Sequence, residues 1–218
     1  MLTSLVGSEM CIRDRAIEDA PTSTYNYEYD QIVSVGELLS TKIVSAFLDQ
    51  EGFANKWIDA RDIIRTDNTY RNARVDWQLT KYNIAKYISE SEVFLTQGFI
   101  GCTTENFTTT LGREGSDFTA AILGFALDAE EVTIWKDVDG MLNADPRYFD
   151  DAKLLNQLSF AEAIELAYFG AKVIHPKTIQ PLKEKNISLR IKSFLNPKEE
   201  GTVIFDDAEM EPFLPSFI

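Results

Sequence analysis

The sequence predicts an α/β fold: a three-layer sandwich in which a mostly parallel central sheet is flanked by helices. Three observations carry that expectation. From Ile32 onward, strand-like apolar runs alternate with helix-like periodic stretches. The helical stretches are long enough for the crossover connections that parallel strands need. And 218 residues suit one large α/β domain better than two small ones.

The elements follow in order. Ser34 is the candidate N-cap of a helix over residues 36–50, which places Glu37 in its first turn; Leu38, Leu39, Ile43, Val44, Phe47 and Leu48 form its apolar side and Gly52 stops it. Residues 56–60 make a short strand and residues 61–75 a polar loop. Asp76 caps a helix to about residue 90. Residues 93–101 read as one buried strand ending in glycines, and residues 106–112 as a Thr-rich hairpin or loop. A helix over 116–129 and a strand over 131–135 come next. Ser159 and Glu162 form a capping box whose helix ends at Gly170. A helix over 176–185 starts at Pro176, and residues 187–194 and 202–205 are strands. Trp57, Trp77, Tyr82 and Tyr87 fall at core-like spacings. In such sheets ligands sit at the carboxyl ends of strands. Three motif loops leave strands there: residues 98–101, the turn after 107–110, and residues 136–140.

Composition narrows the function. With 21 basic and 35 acidic residues the formal charge is −14, which argues against non-specific binding to nucleic acid or an anionic membrane. No uninterrupted run of 18 apolar residues occurs. Cys11 and Cys102 lie far apart, give no disulfide framework and suit a reducing cytoplasm. Residues 1–15 read as a non-native or disordered tail, 16–205 as the domain and 206–218 as a tail or linker.

The chemistry-bearing motif is Gly112-Arg113-Glu114-Gly115-Ser116-Asp117, a glycine-bracketed turn opening a helix. Such a turn aims backbone N–H groups and the positive end of the helix dipole at an anion. Arg113 adds a planar fork matched to carboxylate or phosphate. Neither G-x-x-x-x-G-K-[ST] nor G-x-G-x-x-G is present, which disfavours a dinucleotide-binding oxidoreductase. Trp135-Lys136-Asp137-Val138-Asp139-Gly140 and Asp145-Pro146-Arg147 are ordinary turn formers when taken alone. Lys172 follows Gly170-Ala171. His175 has no Ser or Cys beside it to build a triad and reads as structural.

Taken together and in this order, these loops resemble the catalytic domain of aspartokinases, within the amino-acid kinase superfamily. The matching pieces are Val33 to Glu37, Thr96 to Gly101, Thr108 to Ala121, Asp137 to Gly140, Ala144 to Arg147 and Phe169 to Pro176. The resemblance implies transfer of the ATP γ-phosphate to the side-chain carboxylate of L-aspartate, with Mg²⁺, as the first step toward lysine, threonine and methionine. It implies that Glu37, Arg113, Ser116 and Asp117 hold aspartate, with Arg113 on a carboxylate. Gly112, Arg113, Gly115 and Asp117 form the catalytic set. Lys136, Asp137, Arg147 and Lys172 line the nucleotide side, and no residue is assigned as a metal ligand. A cytoplasmic homo-oligomer is the implied parent, with no nucleic acid or membrane partner.

The sequence departs from the family's pattern. The family's opening Lys-Phe-Gly-Gly-Thr-Ser strand is not found in residues 1–31, Glu114 stands where glycine is common, Lys136 replaces threonine and Leu142 tyrosine. The ACT domains that follow in the family are not found within these 218 residues. Impaired turnover is therefore expected of this stretch by itself. The alternatives are a non-catalytic ligand-binding module of the same fold and a sibling kinase with another carboxylate acceptor.

Overall fold

The computed structural model describes residues 24–88, 93–169 and 173–206. The chain forms two compact units, divided between Thr119 and Ala120.

In the first unit, helix α1 (Tyr25–Gln50) is 26 residues long and begins well before residue 36. Ser34 therefore does not cap it, and Glu37 lies in its interior and not in its first turn. The Ser34 hydroxyl instead donates to the Gln31 carbonyl (3.0 Å), which satisfies it within the helix. The buried face carries Asp30, Ser34, Val35, Leu38 and Ser45. At the far end Gly52 has φ +84°, and the Phe53 N–H donates to the Leu48 carbonyl (2.9 Å), a closure that uses up an orphan carbonyl. Among the described residues α1 alone is long and apolar enough to cross a membrane, with mean hydropathy 1.3 over its most apolar 18-residue window. Its polar side chains nevertheless bond into the unit, as described below.

Strand β1 (Lys56–Ile58) pairs in parallel with β2 (Phe94–Thr96). Between them, helix α2 (Ala60–Ile63) occupies part of the expected loop. It forms because the Asp59 carboxylate accepts from the Arg61 N–H (2.9 Å) and the buried Gln97 amide oxygen accepts from the Ala60 N–H (2.8 Å). Helix α3 (Trp77–Tyr87) is capped by Asp76 as expected, at 3.0 Å from the Leu79 amide. Its predicted end at residue 90 lies outside the described residues. The single strand expected over 93–101 is two strands. Phe99 takes φ +72° and breaks the extension, so β3 (Ile100–Cys102) turns to pair antiparallel with β4 (Thr108–Thr110). Leu38, Ala60 and Ile100 form one core cluster, with Trp57 and Phe99 against it. Tyr82 is 68% exposed, and Trp77 and Tyr87 are exposed too, so the expectation that these aromatics pack in a core holds only for half-buried Trp57. Trp77 instead meets Phe118 edge-on at 6.3 Å.

Helix α4 (Gly115–Ala126) contains the division between the units. The second unit holds a four-stranded sheet of β5 (Glu131–Lys136), β6 (Gln157–Ser159), β7 (Ser188–Ser193) and β8 (Thr202–Phe205), in the order β5-β7-β8-β6. β5/β7 and β6/β8 are parallel, whereas β7/β8 is antiparallel. β6 was not legible, being three residues that run directly into a helix cap. Helix α5 (Phe160–Tyr168) has the predicted capping box, with Ser159 and Glu162 bonded in both directions. Its expected end at Gly170 lies outside the described residues. His175 caps α6 (Pro176–Glu184), its Nδ1 accepting from the Lys177 amide (3.1 Å), so it is structural as expected. Val132, Ile134, Leu189, Ile191 and Ile204 of the sheet pack with Phe160, Ile179 and Leu182. Three of the five ladders among the described residues are parallel, so the α/β class stands.

Candidate active site

The Gly112–Asp117 turn leaves β4 and opens α4. Gly112 has φ +82°, and a Cβ there would meet the Asn72 Oδ1 at 2.7 Å. The positive φ favours glycine, and a side chain there would also displace the Asn72 amide. The Gly115 N–H donates to the Gly112 carbonyl (3.1 Å) and closes the turn. Ser116 and Asp117 occupy the first turn of α4, where N–H groups lack intrahelical partners. The Arg113 side chain is 70% exposed, its Nε 3.9 Å from the Glu114 carboxylate. Glu114 sits at φ +53°, and its Oε2 is buried without a hydrogen bond.

The two motifs of the first unit come together. A Cβ on Gly98 would lie 2.8 Å from the Ser116 Cα, so only glycine lets the Gln97-Gly98-Phe99 turn touch the start of α4. The Phe99 amide donates to the Thr119 hydroxyl (3.0 Å), which donates to the Gly115 carbonyl (2.9 Å). The Leu111 amide donates to the Phe99 carbonyl (2.8 Å). Gln97 is fully buried; its amide nitrogen donates to the Thr41 hydroxyl (2.8 Å), which donates to the Glu37 carbonyl (2.9 Å). Glu37 is half-buried, and burial raises its carboxyl pKa above the usual range.

Sequence reasoning missed Asp30. It is completely buried and accepts from the Thr110 amide (2.8 Å), the Thr110 hydroxyl (2.8 Å) and the Arg71 amide (2.9 Å). The neighbouring Gln31 amide donates to the Thr108 carbonyl (2.8 Å). One signal was available: an acid at the spacing of Ser34, Val35 and Leu38 lies on their helix face, and a buried acid has to be bonded.

In the second unit, Lys136 ends β5, its carbonyl accepting from the Phe194 amide (2.9 Å). Asp137 is exposed. Arg147 is not an open fork. The Asp145 carboxylate takes its Nε (3.0 Å) and Nη2 (2.6 Å) and also its backbone N–H (2.9 Å). Buried Thr202, also missed, holds this loop by accepting from the Met141 amide (2.8 Å) and donating to the Leu155 carbonyl (2.7 Å). Lys172 lies outside the described residues. Among the described residues no group of three or more His, Cys, Asp or Glu could hold a metal ion.

A sequence profile of the amino acid kinase family matches residues 6–193. The chain is 40% identical over 187 residues to the lysine-sensitive aspartokinase 3 of Escherichia coli, covering 84% of this chain and 41% of that protein. It is 40% identical over 183 residues to a chloroplastic bifunctional aspartokinase/homoserine dehydrogenase 2 of Arabidopsis thaliana, covering 83% of this chain and 20% of that one. Among solved structures, E. coli aspartokinase III in complex with aspartate and ADP matches with TM-score 0.91 at 34% identity, covering 99% of this chain and 49% of that chain. The chain thus spans less than half the length of these relatives.

Proposed function

This chain belongs to the amino acid kinase family, and we propose that it is the catalytic portion of an aspartate kinase. The reaction is transfer of the ATP γ-phosphate to the side-chain carboxylate of L-aspartate, giving 4-phospho-L-aspartate and ADP. The observation that carries this reading is the Gly112–Asp117 turn, a carboxylate-matched Arg113 beside a helix N-terminus whose backbone is fixed from beneath by buried side chains.

The chemistry suits these groups. An aspartate side chain is ionised at neutral pH and is already a nucleophile, so no strong general base is needed. Phosphoryl transfer asks for in-line positioning and neutralisation of spreading charge. We assign the α-carboxylate to Arg113, the ammonium to Glu37 and Asp117, and the shape of the turn to Gly112, Gly115 and Ser116. Lys136, Asp137, Arg147 and Lys172 are assigned to the nucleotide. Magnesium supplies charge neutralisation on the phosphates. It needs only one or two protein carboxylates when phosphates provide the other ligands, a role that exposed Asp137 fits. The kinase domain is proposed to span residues 16–205 of a cytoplasmic homo-oligomer serving lysine, threonine and methionine synthesis. The reducing compartment rests on Cys102, a free, buried thiol whose pKa burial raises.

The test is a coupled ADP-release assay with L-aspartate, trapping acyl phosphate with hydroxylamine. Aspartate-dependent ADP and hydroxamate in equal amounts are expected. ADP release without hydroxamate, or a preference for glutamate or carbamate in a substrate panel, overturns the reading. Binding of both ligands with no turnover fits an impaired stretch and the non-catalytic alternative alike, and the same assay on the full-length protein separates them.

A further inference from the structure

We propose that Asp30 is a positioning residue for the amino-acid side of the site: its buried carboxylate fixes helix α1, which carries Glu37, against strand β4, which leads into Arg113. Three segments converge on it. It stands on α1, about two turns or roughly 10 Å before Glu37. It takes both donors of Thr110, three residues before Arg113, at 2.8 Å each. It also takes the Arg71 amide at 2.9 Å. Arg71 is held at φ +67°, and the Arg71-Asn72 turn lies against Gly112, with the Asn72 Oδ1 only 2.7 Å from where a Cβ would stand. The Ala73 amide then donates to the Thr110 carbonyl (2.9 Å). One carboxylate therefore sets the height of the helix over the strand and the seat of the turn that Gly112 needs.

Chemistry explains why an acid does this. Three convergent donors around one side chain exceed what a hydroxyl or an amide oxygen accepts in that geometry, whereas a carboxylate offers about four lone-pair sites. Its bonds to N–H and O–H groups are charge-assisted and short. Gln31 adds a second clamp on Thr108, so α1 grips β4 at alternate residues.

The proposal rests on the aspartate kinase reading, and its test separates the two. Aspartate and MgATP affinities are measured by calorimetry on the full chain for the wild type, Asp30→Asn and Asp30→Ala, with amide hydrogen exchange on each. We expect Asp30→Ala to weaken aspartate on the order of tenfold to a hundredfold, with MgATP affinity within about twofold. Asp30→Asn, which keeps one acceptor oxygen, restores part of the loss. Equal loss of both ligands, or unchanged aspartate affinity, overturns the positioning role. A wild type that binds no aspartate overturns the functional reading alone. The role of Asp30 is then decided by exchange, where faster exchange at residues 110–115 with residues 131–136 unchanged supports it and uniform change across both stretches sinks it.

Discussion

The two candidate loops are built in opposite ways. In the first unit the backbone is fixed and the working side chain is only loosely paired, the Arg113 Nε lying 3.9 Å from the Glu114 carboxylate. Asp30, Thr119 and Gly98 seat the Gly112–Asp117 turn, while Arg113 stands 70% exposed. In the second unit Thr202 fixes the backbone near Met141, but the working side chain is already engaged, Arg147 lying in the fork of Asp145. A preorganised frame with a loosely paired cation binds with little reorganisation. A cation held by its own neighbour must exchange one anion for another. The amino-acid side is therefore expected to depend on buried scaffold residues and the nucleotide side on exposed charge balance.

The largest effects are expected on the first frame. Gly98→Ala places a Cβ 2.8 Å from the Ser116 backbone, where neither side can yield. It should cut aspartate-dependent turnover by on the order of a hundredfold, with the nucleotide affinity retained. Arg113→Ala removes a charge-assisted, two-pronged contact, and the aspartate KM should rise about tenfold to a hundredfold. Arg113→Lys should recover only part, since an ammonium lacks the fork. If steady-state kinetics show Gly98→Ala close to wild type, the frame is softer than its contacts indicate and the contrast weakens.

Glu37 adds a pH dependence to the same side. Burial penalises its charged form and raises its pKa. As pH falls, Glu37 is protonated before ordinary carboxylates are, and the hold on an ammonium proposed for it is lost first. Aspartate affinity should therefore decline with falling pH before ordinary carboxylates titrate, and Glu37→Gln should flatten that limb while weakening binding at neutral pH. The stability sign is the reverse: the penalised ionised form costs stability at neutral pH, and that cost is relieved as pH falls through the raised pKa. Calorimetric titration across pH 4.5–7.5 (about three units) and urea unfolding of both proteins check the two signs together.

How much of this was legible follows from which interactions are local. Capping by Asp76 and Ser159 rests on partners within three residues, and sequence pattern found both; His175 reads in sequence as structural, without its capping bond to the Lys177 amide. The turn at Gly112–Asp117 was read because glycine spacing is itself a backbone signal. The start of α1 was misplaced because Ser34 bonds inward to Gln31, an arrangement that looks like a cap in sequence. Asp30, Gln97 and Thr202 were missed because their partners lie about 40 to 80 residues away. The split of residues 93–101 turns on one backbone angle, at Phe99, which no apolar run encodes. The engagement of Arg147 was local and still missed, since Asp-Pro-Arg reads equally as a turn.

A smaller effect is expected at Glu114. It carries a left-handed φ of +53° and a buried, unbonded carboxylate oxygen, two costs that glycine does not have. Against them stands the greater backbone freedom of glycine in the unfolded chain. Glu114→Gly should net about 1 kcal/mol of added stability in urea unfolding and remove the carboxylate that lies 3.9 Å from the Arg113 Nε. A loss of stability would mean that Glu114 helps to hold the turn, which would then owe its shape to Glu114 as well as to the residues beneath it.

The smallest effect separates the loops most directly. The Asp145–Arg147 pair is exposed, so the pair is screened and exchange for a phosphate is inexpensive. Asp145→Asn keeps an acceptor for the Arg147 amide and removes the competing charge. MgATP should then bind about two- to fivefold more tightly at low salt, and the gain should fade near about 0.5 M salt as the Debye length shrinks. The opposite result, weaker nucleotide binding in Asp145→Asn, would make Asp145 an orienting arm and not a competitor. Arg147 would then be as preorganised as the Gly112 turn, and the two halves would differ only in where the orienting carboxylate lies: buried and distant in sequence for one, exposed and two residues away for the other.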